Sequence, residues 1–202
     1  MSGKILSCAY FDASDAYLNN RSHYDEALAK IGKVDGRIRS FRGIQVPEEG
    51  GKKGYIVTAW ESAEHLKKFA STDDFTKASA IFQEAAVGEV RRSQIIGVVG
   101  APVPPLEAAV TVVVLVHAKA GVSDDQIKVH AHKLAEAFNN VHHPYAFGES
   151  LGKDGRYLIL GGWSSIAESR NAIKEEPYAS SIAAFKELAE VEVTHAIFED
   201  GP

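Results

Sequence analysis

VTAWESAEHLKKFASTDDFTKASAIFQEAAVGEV (57–90) and LGGWSSIAESRNAIKEEPYASSIAAFKELAEVEV (160–193) are one pattern written twice. With Trp60 set on Trp163, an offset of 103, no gap is needed. Ser62 falls on Ser165, Phe75 on Tyr178, Phe82 on Phe185, Glu84 on Glu187, Ala86 on Ala189 and Val90 on Val193. Self-similarity held over such a length marks a supersecondary unit used twice.

Outward from this pair the two halves read alike. In the first, 5–11 is an apolar run of strand length, and Ser14 is an N-cap for a helix with Tyr24, Ala27, Leu28 and Ile31 inward. Strands at 38–46 and 55–60 flank the turn PEEGGKK (47–53). A helix from about Ser62 breaks near 71–74, a second piece carries Phe75, Ala78, Phe82 and Ala85, and 87–96 is the last strand. In the second, 111–118 is a strand and Ser123 with Gln126 forms a capping box. Ile127, Ala131, Leu134 and Phe138 then line one helix face. Strands at 143–149 and 156–163 enclose a turn at Asp154–Gly155. Ser165 with Glu168 starts the next helix, Tyr178, Ile182, Phe185 and Ala189 form its inward stripe, and 191–198 closes the unit.

Each half is thus β-α-β-β-α-β, the ferredoxin-like order. VTVVVLV (110–116) and YLILGGW (157–163) are apolar on both faces, so the second sheet face must also be buried, against another sheet. The segment GVVGAPVPPLEAA (97–109) holds three of the seven prolines. As extended chain it can bring one sheet onto the other. The expected organisation is α+β: repeat 1 at 1–97, a Pro-rich linker at 98–109 and repeat 2 at 110–202, with both repeats closing one intramolecular barrel.

Composition narrows the function. The net charge is −5, divided +1 over 1–101 and −6 over 102–202, and the Lys/Arg pairs are dispersed. Nucleic acid is therefore not an expected partner. No apolar run approaches membrane-spanning length. One cysteine, Cys8, excludes an intrachain disulfide, and no signal-peptide pattern opens the chain, so a cytoplasmic setting is expected. Cys8 reads as a buried thiol.

The W-x-S strand end followed by a helix and an aromatic-bearing second helix (60–82 and 163–185) resembles the antibiotic-biosynthesis monooxygenase-like pattern. VLVHAKAGVSDDQI (114–127) resembles the opening of the stress-responsive A/B-barrel family. The chain is therefore similar to the dimeric α+β barrel superfamily, which also includes EthD-like proteins. The resemblance covers nearly everything outside the linker, and its motifs are fold signals. It implies a cavity between the sheets that takes a small apolar or aromatic molecule. The implied chemistry is cofactor-independent oxygenation, cyclisation or isomerisation of an aromatic or polyketide-like substrate. The superfamily also holds non-catalytic ligand-binding or stress-responsive barrels, and haem binders. Haem-degrading relatives place a His about three helical turns past the Trp. Here His65 is only five residues past Trp60 and nothing comparable follows Trp163, which counts against haem; no cofactor is expected.

Polar residues on the strands are the candidates for chemistry. His195 shares a strand face with Val191, Val193 and Ile197 and is the candidate general base, with a structural core histidine as the alternative. Its repeat counterpart at the same offset is Arg92, a candidate anion-orienting cation. His117 ends a strand, and His143 precedes one, so both are further candidate bases. Tyr10, Tyr55, Tyr145 and Tyr157 sit on strands and are candidates to orient a substrate oxygen, with structural packing as the alternative. Trp60 and Trp163, being duplicated, read first as packing devices and second as pocket walls. Six of eight histidines lie in the second half. No metal is expected, because His130 and His132 point about 200° apart on a helix and no HxH or HExxH pair occurs. Two repeats complete one barrel, so a homodimer is optional.

Overall fold

The computed structural model describes the backbone of residues 3–140, 142–152 and 154–202, and their side chains except at 23, 92–97, 139 and 140. The first half runs β1 (Ile5–Asp12), α1 (Asp15–Asn19), α2 (Asp25–Gly32), β2 (Arg37–Gln45), β3 (Lys53–Trp60), α3 (Ala63–Ala70), α4 (Asp73–Glu84) and β4 (Arg91–Gly100). The second runs β5 (Val110–Ala118), α5 (Asp124–Asn140), β6 (Tyr145–Ser150), β7 (Arg156–Trp163), α6 (Ile166–Ala172), α7 (Tyr178–Leu188) and β8 (Ala189–Asp200). The β-α-β-β-α-β order occurs twice. No helix among the described residues is long and apolar enough to cross a membrane.

The eight strands close in the order β1-β3-β2-β8-β5-β7-β6-β4, with β4 returning to β1. Each half supplies four antiparallel neighbours, and the halves are sewn together along β2–β8 and β4–β6. Ion pairs reinforce the first seam: Arg42 reaches Glu199 and Arg39 reaches Asp200, while the same arginines also hold Asp25 of α2 and Glu107 of the segment before β5. Closure gives every strand a partner on both sides, so no strand edge is left open for pairing with another chain.

Strand alternation divides the side chains between the barrel interior and the helix-covered outer faces. Leu6, Cys8, Tyr55, Val57, Ala59, Val113, Leu158, Leu160, Ala196 and Phe198 point into the barrel and fill it. Burial pushes the Cys8 thiol up to about 12, leaving it un-ionised and inert. Among the described residues these side chains fill the middle of the barrel, and the space that remains between the sheets is an open funnel of about 720 Å³ at one mouth, lined by Tyr10 and Leu115 among others. The outward residues of each half, with the helices, make two further cores. This explains the doubly apolar strands: Val113 and Leu115 face in, while Val112, Val114 and Val116 face the helices.

Three local readings change. The first helix of the first half divides, with α1 and α2 separated by a 3-10 turn at Arg21–Tyr24, because Asn20 leaves helical geometry and its side chain accepts from Ser22 Oγ. β4 starts at Arg91 rather than 87, since 85–90 is a turn with Gly88 at φ +84°. It also continues to Gly100, inside the segment read as linker. The rest of that segment is not simply extended: a 3-10 turn at Pro104–Glu107 inserts Leu106 into the barrel end, where Pro105 accepts a 2.6 Å hydrogen bond from Thr111.

Candidate active site

His195 does not face the barrel interior. On β8 the inward residues are Ala196 and Phe198, so His195 faces outward, toward α6. It is 4% exposed. Its Nδ1 lies 2.7 Å from Glu49 Oε1, and its Nε2 lies 2.9 Å from Ser169 Oγ. Glu49 arrives from the other half. Beyond the last β2–β8 pair, Val46 still donates to the His195 carbonyl at 2.9 Å, and then the chain turns at Pro47–Glu49. Gly50 and Gly51, at φ +104° and +61°, complete a turn that β-carbon-bearing residues would strain. The Glu49 carboxylate thereby takes the position of the next ladder acceptor and receives the His195 amide at 2.8 Å. Burial alone raises the Glu49 pKa. Hydrogen bonds from the His195 amide and ring and from Arg170 outweigh that, and hold the carboxyl below its ordinary range.

Ser169 also lines a cavity of about 250 Å³ between the second half's sheet and helices. Its other walls are apolar, among them Val112, Val114, Leu134, Phe138, Ile159, Trp163, Tyr178 and Phe185. Two buried hydrogen-bonding groups on these lining residues have no partner among the described residues: Trp163 Nε1 and Tyr178 Oη. Burial pushes the Tyr178 phenol up to about 12, so it stays protonated and can donate. Orphaned buried polar groups are uncommon in native proteins and call for an explanation.

The corresponding space in the first half is different. It measures about 70 Å³. There Trp60 Nε1 donates to Ser7 Oγ at 3.0 Å, and Trp60 packs against Phe69. Strand registers supply the reason. Ile5 opposes Trp60 as Val110 opposes Trp163, so Ser7, opposite Thr58, corresponds to Val112, opposite Gly161. The second half therefore has Val112 for the hydroxyl that satisfies the indole. It also has Gly161 for Thr58, Ser169 for Leu66, Ala172 for Phe69 and Tyr178 for Phe75. The net effect is more space and two free donors.

The same registers revise one sequence pairing. Ser7 opposes Gln94 and Val112 opposes His195, so the counterpart of His195 is Gln94 and not Arg92. The turn after α4 is longer than the α7–β8 junction, which shifts the last strands against the uniform offset. Arg92 itself lies in β4, and its side chain is outside the described residues.

The remaining candidates are dispersed. His117 is exposed at the end of β5, in an open polar funnel at the barrel mouth with Tyr10, Arg91, Arg156 and Glu190. It is five residues from Val112, the partner of His195, or ~17 Å along the strand, so the two histidines do not share a site. His143 does not enter the barrel. It stacks on Trp163 at 4.2 Å in an outer cleft that shares Trp163 and Tyr178 with the cavity, its Nδ1 3.1 Å from the Gly162 carbonyl and its Nε2 3.5 Å from Glu168. Tyr55 is buried in the barrel, its hydroxyl 2.6 Å from Thr194 Oγ1. Tyr145 stacks on Phe138. Among the described residues, no three His, Cys, Asp or Glu side chains converge to hold a metal.

Sequence reasoning missed Ser169, Glu49 and Tyr178 as site residues. The ungapped alignment held a signal for two of them, Ser169 opposite Leu66 and Tyr178 opposite Phe75. Nothing local signals Glu49, which meets His195 across 146 residues of sequence.

Fold and strand order define the class: this is a dimeric α+β barrel whose two halves lie in one chain. Solved structures of that kind superpose over nearly the whole molecule. A candidate monooxygenase from Fusobacterium nucleatum subsp. nucleatum has a TM-score of 0.67 at 13% identity, covering 100% of this chain and 94% of that one. An anthrone oxidase-like protein reaches 0.72 at 11%, again with 100% and 94% coverage. A candidate monooxygenase from Lactobacillus acidophilus gives 0.65 at 10%, with 97% and 94%. At these identities the likeness establishes the fold. No family model and no curated protein sequence matches the chain.

Proposed function

We propose that the protein is a cofactor-independent oxygenase acting on an aromatic, polyketide-like substrate held in the cavity of the second half. The observation that carries this reading is the pair of orphaned donors, Trp163 Nε1 and Tyr178 Oη, in the wall of an otherwise apolar cavity. An apolar cavity of about 150 Å³ admits a benzene-sized ligand, so about 250 Å³ suits fused rings. The donors suit a phenolic or enolic oxygen on that ring system. His195, oriented by Glu49, is the base. Removing an acidic proton yields an electron-rich anion that reacts with dioxygen. For a ring methylene flanked by aromatic rings, CH2 plus O2 becomes C=O plus water, one oxygen being retained and the other leaving with both hydrogens. The monooxygenase and anthrone oxidase-like names among the structural neighbours support this class of chemistry.

In this reading the enzyme works in the cytoplasm as a single-chain barrel, and a second copy, if one associates, docks through helices. The test is oxygen uptake with a panel of anthrones, naphthols and hydroquinones. Uptake that falls at least tenfold in His195→Ala supports the assignment. Tight binding of such compounds without oxygen uptake would replace it with a ligand-binding barrel. A Soret band on haem titration would replace it with a haem protein.

A further inference from the structure

We propose that Ser169 is a catalytic proton relay, carrying the substrate's acidic proton from the cavity to His195, and that Glu49 is a positioning residue lent by the other half of the chain. This rests on the cavity of the second half being the substrate site.

His195 is close to the cavity without lining it, whereas Ser169 does both: its hydroxyl touches Nε2 and its side chain forms part of the cavity wall. Proton roles follow from the partners. An ionised carboxylate only accepts, so Nδ1 beside Glu49 carries a hydrogen. In the neutral ring Nε2 is then bare and accepts from Ser169 Oγ. The hydroxyl has spent its one hydrogen inward, and its lone pairs remain to accept a proton donor from the cavity. A phenol or enol O–H placed there completes a line of three hydrogen bonds from substrate to Glu49. On transfer the substrate O–H bond breaks and a new Oγ–H bond forms. The former Ser169 Oγ–H bond breaks and an Nε2–H bond forms. The products are a substrate anion and an imidazolium held against the Glu49 carboxylate; no electron changes hands.

Two further features fit. The imidazolium is countered by Glu49, itself paired with Arg170 at 3.1 Å. The anion meets Trp163 Nε1 and Tyr178 Oη, the donors that otherwise lack partners. The charged and titratable groups around the relay are thus Glu49 and Arg170 on one side and Tyr178 and Lys186 of α7 on the other. Such a device exists only in the second half, because Leu66 stands where Ser169 does. It also requires both halves, since Glu49 comes from the β2–β3 turn.

The first experiment needs no turnover. 2-Naphthol absorbs at longer wavelength as its anion, so its spectrum at neutral pH reports whether it is bound ionised. Wild type is expected to bind it as naphtholate. Ser169→Ala should bind it as the neutral form, and Glu49→Gln should lower the ratio of bound anion to bound neutral form about tenfold, equivalent to one pKa unit. Absence of binding to wild type would remove the substrate-site reading and this relay with it. Binding without ionisation, or ionisation unchanged in Ser169→Ala, would overturn the relay alone. The second measurement uses wild type, so it does not depend on how variants fold. Nitrogen-15 spectra of ligand-free protein should show the His195 hydrogen on Nδ1 with Nε2 accepting, and an Nε2–H ring overturns the relay.

Discussion

A single hydroxyl separates Tyr178 from its counterpart Phe75, and its effects on folding and on binding oppose each other. A buried hydroxyl without a partner costs about 1–3 kcal/mol. Tyr178→Phe is therefore expected to raise the stability of the ligand-free protein by about 1 kcal/mol in denaturant unfolding. The same change should weaken a phenolic ligand by roughly tenfold in a direct titration, about 1.4 kcal/mol. A stabilised variant with unchanged affinity would assign the hydroxyl no part in binding. Glu49 offers a pH test. Its folded pKa lies below the unfolded value of about 4.3, so the unfolded chain binds the proton more readily. The stabilisation is complete above the unfolded value and is lost as pH falls through the folded one. Urea midpoints measured from pH 7 down to pH 3 should fall more steeply for wild type than for Glu49→Gln.

Between elements, the cavity exists because β7 withholds side chains where its counterpart β3 supplies them. A β-carbon on Gly161 would sit 2.6 Å from the Phe138 ring of α5 and 3.0 Å from Val112 of β5. Such overpacking costs about 1–3 kcal/mol. Gly161→Ala is expected to lower the melting temperature and to reduce naphthol affinity together, because the displaced Phe138 ring moves into the cavity. Loss of stability with full affinity would show that the ring relaxes elsewhere. Capping at the start of α6 also has a lesson. Ser165 Oγ accepts the Glu168 amide at 3.1 Å, as the S-x-x-E spacing predicts, but the Glu168 carboxylate returns to the amide of Ser164 rather than Ser165. At α5 the box forms as read, Ser123 and Gln126 satisfying each other. Hydrogen bonds to Ser164 hold the Glu168 carboxyl below its ordinary range, with His143 adding to the effect.

Over the whole molecule, one barrel interior is shared by strands of both halves, and each seam joins a strand of one to a strand of the other. Neither half can open without exposing the common core. Trp60 reports on one half and Trp163 on the other, so Trp60→Phe and Trp163→Phe make a pair of single-tryptophan proteins. Their fluorescence-detected urea curves should each coincide with the curve from circular dichroism of the same variant. A tryptophan that reports unfolding before the secondary structure is lost would mean that its half unfolds separately. The fused arrangement also frees the two cavities from being copies. One is packed nearly shut with its indole satisfied, while the other is widened and keeps two unpaired donors.

Local pattern was enough for the architecture. The Trp60/Trp163 register and the doubly apolar strands 110–116 and 157–163 imply two ferredoxin-like units stacked sheet to sheet, because hydrophobic period and burial are written residue by residue. Capping at Ser14, Ser123 and Ser165 was legible for the same reason. The site was legible only in part. His195 and Trp163 were named as candidates from sequence, yet the face on which His195 lies depends on which side of β8 the barrel closes, and strand alternation alone leaves that open. Its true counterpart, Gln94, depends on a turn length that shifts the ladder. Glu49 reaches it only because β2 and β8 meet at a seam between halves. The sequence by itself determined the repeat, the barrel and the apolar character of both strand faces. Tertiary structure alone decided that the middle of the barrel is filled among the described residues, that an apolar cavity lies beneath the second half's helices, and that Glu49, His195 and Ser169 form a hydrogen-bonded chain. Those outcomes are set by closure of the sheet, a long-range event that no window of sequence encodes.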